Sequence, residues 1–113
     1  MKYMALWRPT KEPTGLPSQG EMSAMGKLIE ELTKEGVLVA TDGLQSSATG
    51  TIVRSTNGKV TVTDGPFAET KELVAGYAIF NVKSKEQMIE LTKRFLKVVG
   101  VDGVSEIRQM HEG

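Results

Sequence analysis

The residues of this chain that are best suited to chemistry lie in one short segment, Asp64–Glu72, which reads DGPFAETKE. Glycine permits unusual backbone angles and proline fixes its own, so Gly65 and Pro66 predict a sharp turn. Asp64 has two interpretations. It is either a general base or hydrogen-bond acceptor at the edge of a cleft, or a turn residue whose carboxylate bonds the backbone N–H groups just beyond it. The segment is therefore a rigid turn or one wall of a small-molecule site, with Asp64 as the candidate catalytic residue.

Several other residues in and around this segment are candidates for binding a ligand. They are Gly65, Pro66, Phe67, Glu69, Lys71, Arg54, Glu106 and Arg108. Phe67 is expected to anchor the loop by packing rather than to stack on a substrate. The alternating charges of Glu69–Glu72 are also typical of a solvated surface network.

Three of these candidates depend on which face of a strand they occupy. Side chains two residues apart in a strand point to the same face, so Glu106 and Arg108 form an ion pair or an anion contact if that face lines a cleft. If the face is directed outward, they are ordinary surface charges. Arg54 could reach a bound carboxylate with its bidentate guanidinium, or simply solvate an edge strand.

Composition excludes several classes of protein. The 113 residues fit a single domain spanning residues 1–113, which is long enough to bury a cooperative core. Lys+Arg and Asp+Glu are each 14, so the chain lacks the basic surplus that nucleic-acid binding requires. The chain has no cysteine and one histidine, His111, so we expect no metal site and no cofactor. No apolar run approaches the length of a membrane span or a secretory leader, so we expect a cytoplasmic protein without membrane association.

Hydrophobic periodicity predicts the elements that position these residues, beginning with a β-α-β unit. The apolar run Tyr3–Trp7 indicates a first strand buried on both faces. Ser18 and Glu21 have the spacing of a capping box, and the apolar stripe that follows predicts a helix that ends at Gly36. Val37–Ala40 is then expected to form a second buried strand.

A β-hairpin is predicted in the middle of the chain. Strand-like runs at residues 51–55 and 59–63 flank Asn57-Gly58. Both central residues of a type I′ turn need positive φ, which Asn and Gly adopt at low cost.

A second β-α-β unit completes the chain. Ala75–Val82 is apolar on both faces, which suits a central strand. Ser84 and Gln87 repeat the capping-box spacing at the start of a second helix. Val104–Met110 is expected to form the last strand.

This order of elements predicts an α+β ferredoxin-like sandwich with an inserted β-hairpin. Both helices must cover the same face of the sheet. The other face keeps apolar residues, and nothing in the chain is left to cover it. A second subunit is the simplest cover, so we predict a sheet-to-sheet homodimer.

The chain resembles the DGPF, or YCII-related, family of dimeric α/β-barrel proteins nearly end to end. The resemblance is carried by residues 2–4, 36–38, 42–44, 62–72 and 106–109. It is most specific at the central segment, Val62–Glu72. The resemblance implies a ferredoxin-like fold, dimerisation and a cleft between the sheets, in a family without an established reaction.

The chain departs from this family at Gln45-Ser46-Ser47, where many similar proteins carry His-Pro-Ser. Related proteins are proposed to pair a histidine with an aspartate. Asp64 would fit the aspartate, but no internal histidine is available to join it.

Two functions are therefore predicted for a cleft near Asp64. One is an acid/base enzyme of isomerase, lyase or hydrolase type that acts on a small polar metabolite. The alternative is a non-catalytic ligand-binding or regulatory partner protein that uses the same cleft.

Overall fold

A computed structural model describes residues 1–12, 18–68 and 73–112 of the chain. Its elements follow the predicted order of two β-α-β units separated by a hairpin. They are β1 (Lys2–Pro9), α1 (Gln19–Lys34), β2 (Leu38–Gly43), β3 (Thr51–Thr56), β4 (Lys59–Asp64), β5 (Gly76–Asn81), α2 (Lys85–Val99) and β6 (Gly103–Gln109), with a short 3-10 helix at Ser47–Thr49 before β3.

The first helix begins and ends where the sequence predicts. The backbone N–H of Glu21 donates to Ser18 Oγ at 3.1 Å, and the N–H of Ser18 donates to Glu21 Oε2 at 3.2 Å. This reciprocal pair satisfies two N–H groups at the helix start. Gly36, just beyond the helix, has a φ of 77°, a left-handed conformation that glycine adopts without steric cost. Both expectations for this helix are confirmed.

The second helix has only half of the predicted capping box. Ser84 Oγ accepts from the N–H of Gln87 at 3.1 Å. The Gln87 side chain, however, accepts from the N–H of Lys83 at 2.7 Å rather than from that of Ser84. The helix ends at Gly100, whose φ is 70°.

The four strands of the two β-α-β units form one antiparallel sheet in the order β2-β5-β1-β6. Both helices pack on one face of this sheet, where Leu32, Phe80 and Met88 are the largest fully buried side chains. The rings of Phe80 and Phe95 meet edge to face, with centroids 5.7 Å apart. The predicted ferredoxin-like α+β sandwich is confirmed.

The first strand is not buried on both faces in the single chain, contrary to expectation. Tyr3 and Ala5 face the helices and are buried, whereas Met4 and Leu6 on the other face are half-buried. Ile79 of β5 lies opposite Met4 and is also half-buried. The sheet therefore has a partly apolar face opposite its helices, which we call the helix-free face.

The second strand also differs from its prediction. It spans Leu38–Gly43 at the edge of the sheet, and its register with β5 shifts between Leu38 and Ala40. Val39 is 52% exposed at this irregularity rather than buried. Bulges of this kind are common at sheet edges, where the chain has no second neighbour to hold its register.

The predicted hairpin forms a separate two-stranded sheet of β3 and β4. Asn57 and Gly58 have φ angles of 52° and 78°, so the positive φ values that a type I′ turn requires are confirmed. Nearly every side chain of the hairpin is exposed, and only Ile52 is half-buried. Neither helix in the described parts of the chain is long and apolar enough to cross a membrane.

Candidate functional site

A cavity of about 340 Å³ lies between the four-stranded sheet and the two helices. This volume is at the lower end of the range for small-molecule sites, about 300–1,000 Å³. The helices contribute Met25, Ile29, Thr92, Phe95, Leu96 and Val99 to its lining. The cavity is therefore mainly apolar on the helix side.

Small residues in the sheet leave the space for this cavity. Ala5 lies opposite Ala78, and Gly76 lies opposite both Trp7 and Gly43. All five residues line the cavity. Because alanine and glycine project little or nothing from the sheet, the side chains of the helices do not close the gap. These small residues are visible in the sequence, but a strand pattern alone does not indicate that they leave space beneath the helices.

The threonine hydroxyl groups along the cavity donate hydrogen bonds to other atoms of the protein. Thr41 Oγ1 donates to the carbonyl of Tyr77, and Thr92 Oγ1 donates to that of Met88, each at 2.8 Å. Tyr77 is opposite both Leu6 and Asp42, so its side chain lies on the helix-free face, where its hydroxyl donates to Asp42 Oδ2 at 3.2 Å. This hydrogen bond, together with the negative charge of Asp42 and partial burial, raises the pKa of the Tyr77 phenol above its ordinary value.

Asp64, the predicted catalytic residue, lies at the end of the exposed hairpin and does not line the cavity. Its Oδ1 accepts a hydrogen bond from the Thr51 hydroxyl at 2.9 Å, and the two residues are opposite each other in the β3–β4 register. Among the residues that the structure describes, no backbone N–H donates to its side chain. Asp64 thus ties together the two ends of the hairpin.

The Gly65–Phe67 part of the motif packs against the short 3-10 helix at Ser47–Thr49. A Cβ atom at Gly65 would overlap the carbonyl oxygen of Ser47, so only glycine fits this approach. The N–H of Gly65 donates to the carbonyl of Gly50 at 2.9 Å, and the peptide bond to Pro66 is cis. The Phe67 ring packs against Gly50.

Glu12 holds the same turn from the other side, and sequence reasoning missed it. Its carboxylate accepts from Ser46 Oγ at 3.1 Å, from Ser47 Oγ at 2.9 Å and from the Ser47 N–H at 3.1 Å. These bonds, the one from the Ser47 backbone above all, lower the pKa of Glu12. Ser47 Oγ also accepts from the N–H of Phe67 at 3.4 Å. No local pattern relates Glu12 to Ser47, because 35 residues separate them.

Glu106 and Arg108 share a face of the last strand and form an ion pair with each other, and Arg8 joins them. Glu106 accepts from Arg8 Nη1 at 3.0 Å and from Arg108 Nη1 at 3.1 Å. The Arg108 hydrogen bond is the main reason why the pKa of Glu106 is lowered. Glu106 lies opposite Leu6 in the register, so this cluster is on the helix-free face and away from the cavity.

The remaining predicted residues are dispersed. Arg54 lies on the exposed hairpin, opposite Thr61. Glu69 and Lys71 are outside the described residues. Within residues 1–12, 18–68 and 73–112, no group of His, Cys, Asp and Glu side chains could hold a metal ion.

Comparison with known families identifies the chain. The model of the YCII-related domain matches residues 1–110. The chain belongs to the YCII-related family. A comparison with curated proteins found no match.

A solved structure of similar fold supports the architecture of this YCII-related domain. It is 5-chloro-2-hydroxyhydroquinone dehydrochlorinase (TftG) from Burkholderia phenoliruptrix AC1100 in complex with 2,5-dihydroxybenzoquinone. The two chains share 11% identity with a TM-score of 0.51, and the match covers 100% of this chain and 96% of that one. At this identity the similarity concerns the fold, which is that of the dimeric α/β-barrel proteins.

At the point where the sequence departs from the resemblance, this YCII-related domain has Gln45, which is exposed. Its Oε1 accepts from the Thr49 hydroxyl at 3.4 Å. Gln45 does not line the cavity. The predicted site residues thus lie at the hairpin end and on the helix-free face, and the cavity is a third location that the motif did not indicate.

Proposed function

We propose that this chain is a small-molecule-binding protein of the dimeric α/β-barrel class whose ligand occupies the cavity between the sheet and the helices. The observation that carries the proposal is an apolar space of about 340 Å³ with a few polar groups at its edge. Pockets that combine an apolar lining with few polar groups are the usual form of a ligand site.

The lining favours a ligand with an apolar body. Phe80, Phe95 and Leu96 offer carbon surface on which a flat ring can pack. A small polar metabolite, which the sequence predicted, suits this lining only if its polar groups are few and lie on a ring or a short apolar chain. The complex of the dehydrochlorinase with 2,5-dihydroxybenzoquinone supports a six-membered oxygenated ring as the first candidate.

Ligand binding without catalysis is the function that the geometry supports best. Among the described residues that line the cavity, only Asp42 has a carboxylate, and its side chain lies with that of Tyr77 on the helix-free face. An acid/base reaction of isomerase, lyase or hydrolase type remains the second candidate. It is favoured by the motif around Asp64, and it requires that a ligand reach the hairpin end as well as the cavity.

A homodimer is part of the proposal. The helix-free face exposes half-buried Met4, Leu6 and Ile79 beside the Arg8–Glu106 ion pair. Apolar surface rimmed by charge is typical of an interface. A second copy would cover this face in a closed two-fold arrangement.

The ligand proposal can be tested with the single tryptophan of the chain, Trp7, which lines the cavity. Titration with 2,5-dihydroxybenzoquinone should change the Trp7 fluorescence to saturation, and calorimetry should give the same dissociation constant. Ala78→Leu extends the side chain into the cavity and should weaken binding by about tenfold or more through steric exclusion.

Ala24→Leu provides the matched control, because Ala24 is exposed on α1 and outside the cavity lining. It should leave the dissociation constant unchanged. Equal affinity in folded Ala78→Leu and wild type would mean that the ring binds elsewhere. Release of a modified ring during the titration would favour the enzyme over the binding protein.

Sedimentation at micromolar concentration tests the dimer and should give twice the chain mass. Ile79→Asp places a charge on the helix-free face and should shift the protein towards monomer. Val53→Asp, at an exposed position of the hairpin, should not. A folded wild-type monomer would overturn the sheet-to-sheet dimer.

A further inference from the structure

The side-chain hydrogen-bond donors of the cavity divide into two groups. Thr41 and Thr92 line it, but each hydroxyl proton is donated to a backbone carbonyl. Trp7 and Ser105 also line it, and within the described residues neither side chain has a hydrogen-bond partner. The donors still available to a ligand are therefore the Trp7 indole N–H and the Ser105 hydroxyl.

These two donors are neighbours. Trp7 of β1 and Ser105 of β6 are directly opposite in the register. Residues opposite each other in antiparallel strands have Cβ atoms about 4.5–5.5 Å apart and project from the same face. Here that face carries the cavity. One ligand atom can therefore lie within reach of both side chains.

The surroundings keep the pair accessible and leave space for the indole ring. In the part of the chain that the structure describes, no buried side-chain nitrogen or oxygen lacks a partner. The unbonded Trp7 Nε1 and Ser105 Oγ are therefore open to solvent or to a ligand. The far edge of the Trp7 six-membered ring lies over Gly103, where any Cβ atom would overlap it. Gly103 thus leaves the room that this position of the ring requires.

We propose that Trp7 and Ser105 form the polar contact that selects the ligand, and that they select a ring bearing an acceptor oxygen, such as an aromatic carbonyl or a phenolate. This inference rests on the proposed function of the cavity. Indole is a donor only, and the serine hydroxyl can rotate to donate. Two donors side by side suit the two lone pairs of one carbonyl oxygen.

The pair also acts against ligands without such an oxygen. An apolar ring that displaces water from Trp7 and Ser105 leaves both donors unpaired. A site built to hydrogen-bond a substrate discriminates strongly against an analogue that lacks the matching group. The apolar lining supplies the affinity for the ring, and the donor pair supplies the selection among rings.

The test uses two probes of nearly the same shape, acetophenone and α-methylstyrene, in which C=O is replaced by C=CH₂. Dissociation constants are measured by calorimetry for wild type, Ser105→Ala and Ser105→Thr. Ser105→Ala should weaken acetophenone by about fivefold, the effect of one neutral hydrogen bond, and leave α-methylstyrene unchanged. Ser105→Thr keeps the hydroxyl and should restore the preference. Trp7→Phe should also reduce the preference for acetophenone.

The outcomes separate this inference from the proposal on which it rests. If the wild type binds both probes and Ser105→Ala changes both affinities equally, or neither, the donor pair does not select the ligand and the inference fails. The cavity remains a ligand site in that case. If the wild type binds neither probe nor 2,5-dihydroxybenzoquinone, both proposals fail. Circular dichroism confirms that each variant is folded.

Discussion

The four-stranded sheet and the β3–β4 hairpin are both antiparallel, yet they use their side chains in opposite ways. Phe80 in the sheet is 1% exposed, whereas Val62 in the hairpin is 66% exposed. The sheet has two helices on one face, and the hairpin has neither helix against it. The sheet therefore provides the core and the cavity, while the hairpin provides turns and loop contacts.

The most distinctive residues of the sequence are not the residues that line the cavity. The motif at Asp64–Phe67 is the most distinctive part of the sequence, and in the structure it joins the hairpin to the turn at Ser47. The cavity is lined largely by common apolar residues. A distinctive motif can mark a demanding backbone path as readily as a binding site.

Truncation of one side chain in each region should show the largest contrast. Phe80→Ala removes a fully buried ring that packs against Phe95, and we expect a loss of about 3–5 kcal/mol in the free energy of unfolding. Val62→Ala removes an exposed side chain and should change it by about 0.5 kcal/mol or less. Urea unfolding of both variants measures the difference. A loss of similar size in both would mean that the hairpin is buried in solution, for instance by a second copy.

The motif should be sensitive to its backbone contact even though it lies outside the main core. Gly65→Ala introduces a Cβ atom that overlaps the Ser47 carbonyl, and the required shift should cost about 1–3 kcal/mol of unfolding free energy. Gly26→Ala is the matched control, because a Cβ there meets nothing within 4 Å. In the interior of α1 it should instead stabilise the protein by up to about 1 kcal/mol. An unchanged urea midpoint for Gly65→Ala would show that the loop does not approach Ser47 in solution.

The sequence predicted the features that depend on neighbouring residues. Positive φ at Asn57 and Gly58, the capping box of Ser18 and Glu21, and the end of α1 at Gly36 were all correct. Each is determined within a few residues of chain by steric limits or by a local hydrogen bond. The order of these elements was then enough to predict the ferredoxin-like fold.

Features that depend on distant residues were not predicted. Trp7 and Ser105 are neighbours only because β6 pairs with β1 in one particular register. Exposure of Val39 depends on β2 being at the sheet edge. Size and position of the cavity depend on how far the helices stand above small sheet residues, which no local pattern specifies. Sequence reasoning therefore found the motif but not the cavity.

Low pH should weaken the hydrogen bonds by which the Glu12 carboxylate holds the turn at Ser46 and Ser47. Because bonds from Ser47 lower the pKa of Glu12 in the folded state, its contribution to stability is present above the pKa of the unfolded chain. It is lost as the pH falls through the lower pKa of the folded chain. Glu12→Gln imitates the protonated side chain. The wild type should therefore be more stable than Glu12→Gln at pH 7, and the difference should shrink below the ordinary glutamate pKa of 4.5.

Urea midpoints measured at pH 7 and pH 3 provide this comparison. Ser47→Ala is the control, because it removes one of the hydroxyl donors to Glu12 but leaves the Ser47 N–H in place. In the Ser47→Ala variant, the further change Glu12→Gln should lower the stability at pH 7 by less than it does in the wild type. A difference between wild type and Glu12→Gln that is the same at both pH values would show that the charge of Glu12 does not hold the turn.

The smallest expected effect concerns Asp64 and decides between the two interpretations of the motif. Asp64→Asn keeps a side-chain oxygen that can accept from the Thr51 hydroxyl, but it removes the negative charge and the ability to take a proton. Since Asp64 does not line the cavity, the dissociation constant for 2,5-dihydroxybenzoquinone should stay within about twofold of wild type. Calorimetry on the folded variant measures it, with Thr51→Val as a companion that removes the same hydrogen bond but leaves the charge. If Asp64→Asn lowers affinity or turnover by about tenfold or more while Thr51→Val does not, the ionised carboxylate acts on the ligand, and the hairpin end belongs to the functional site.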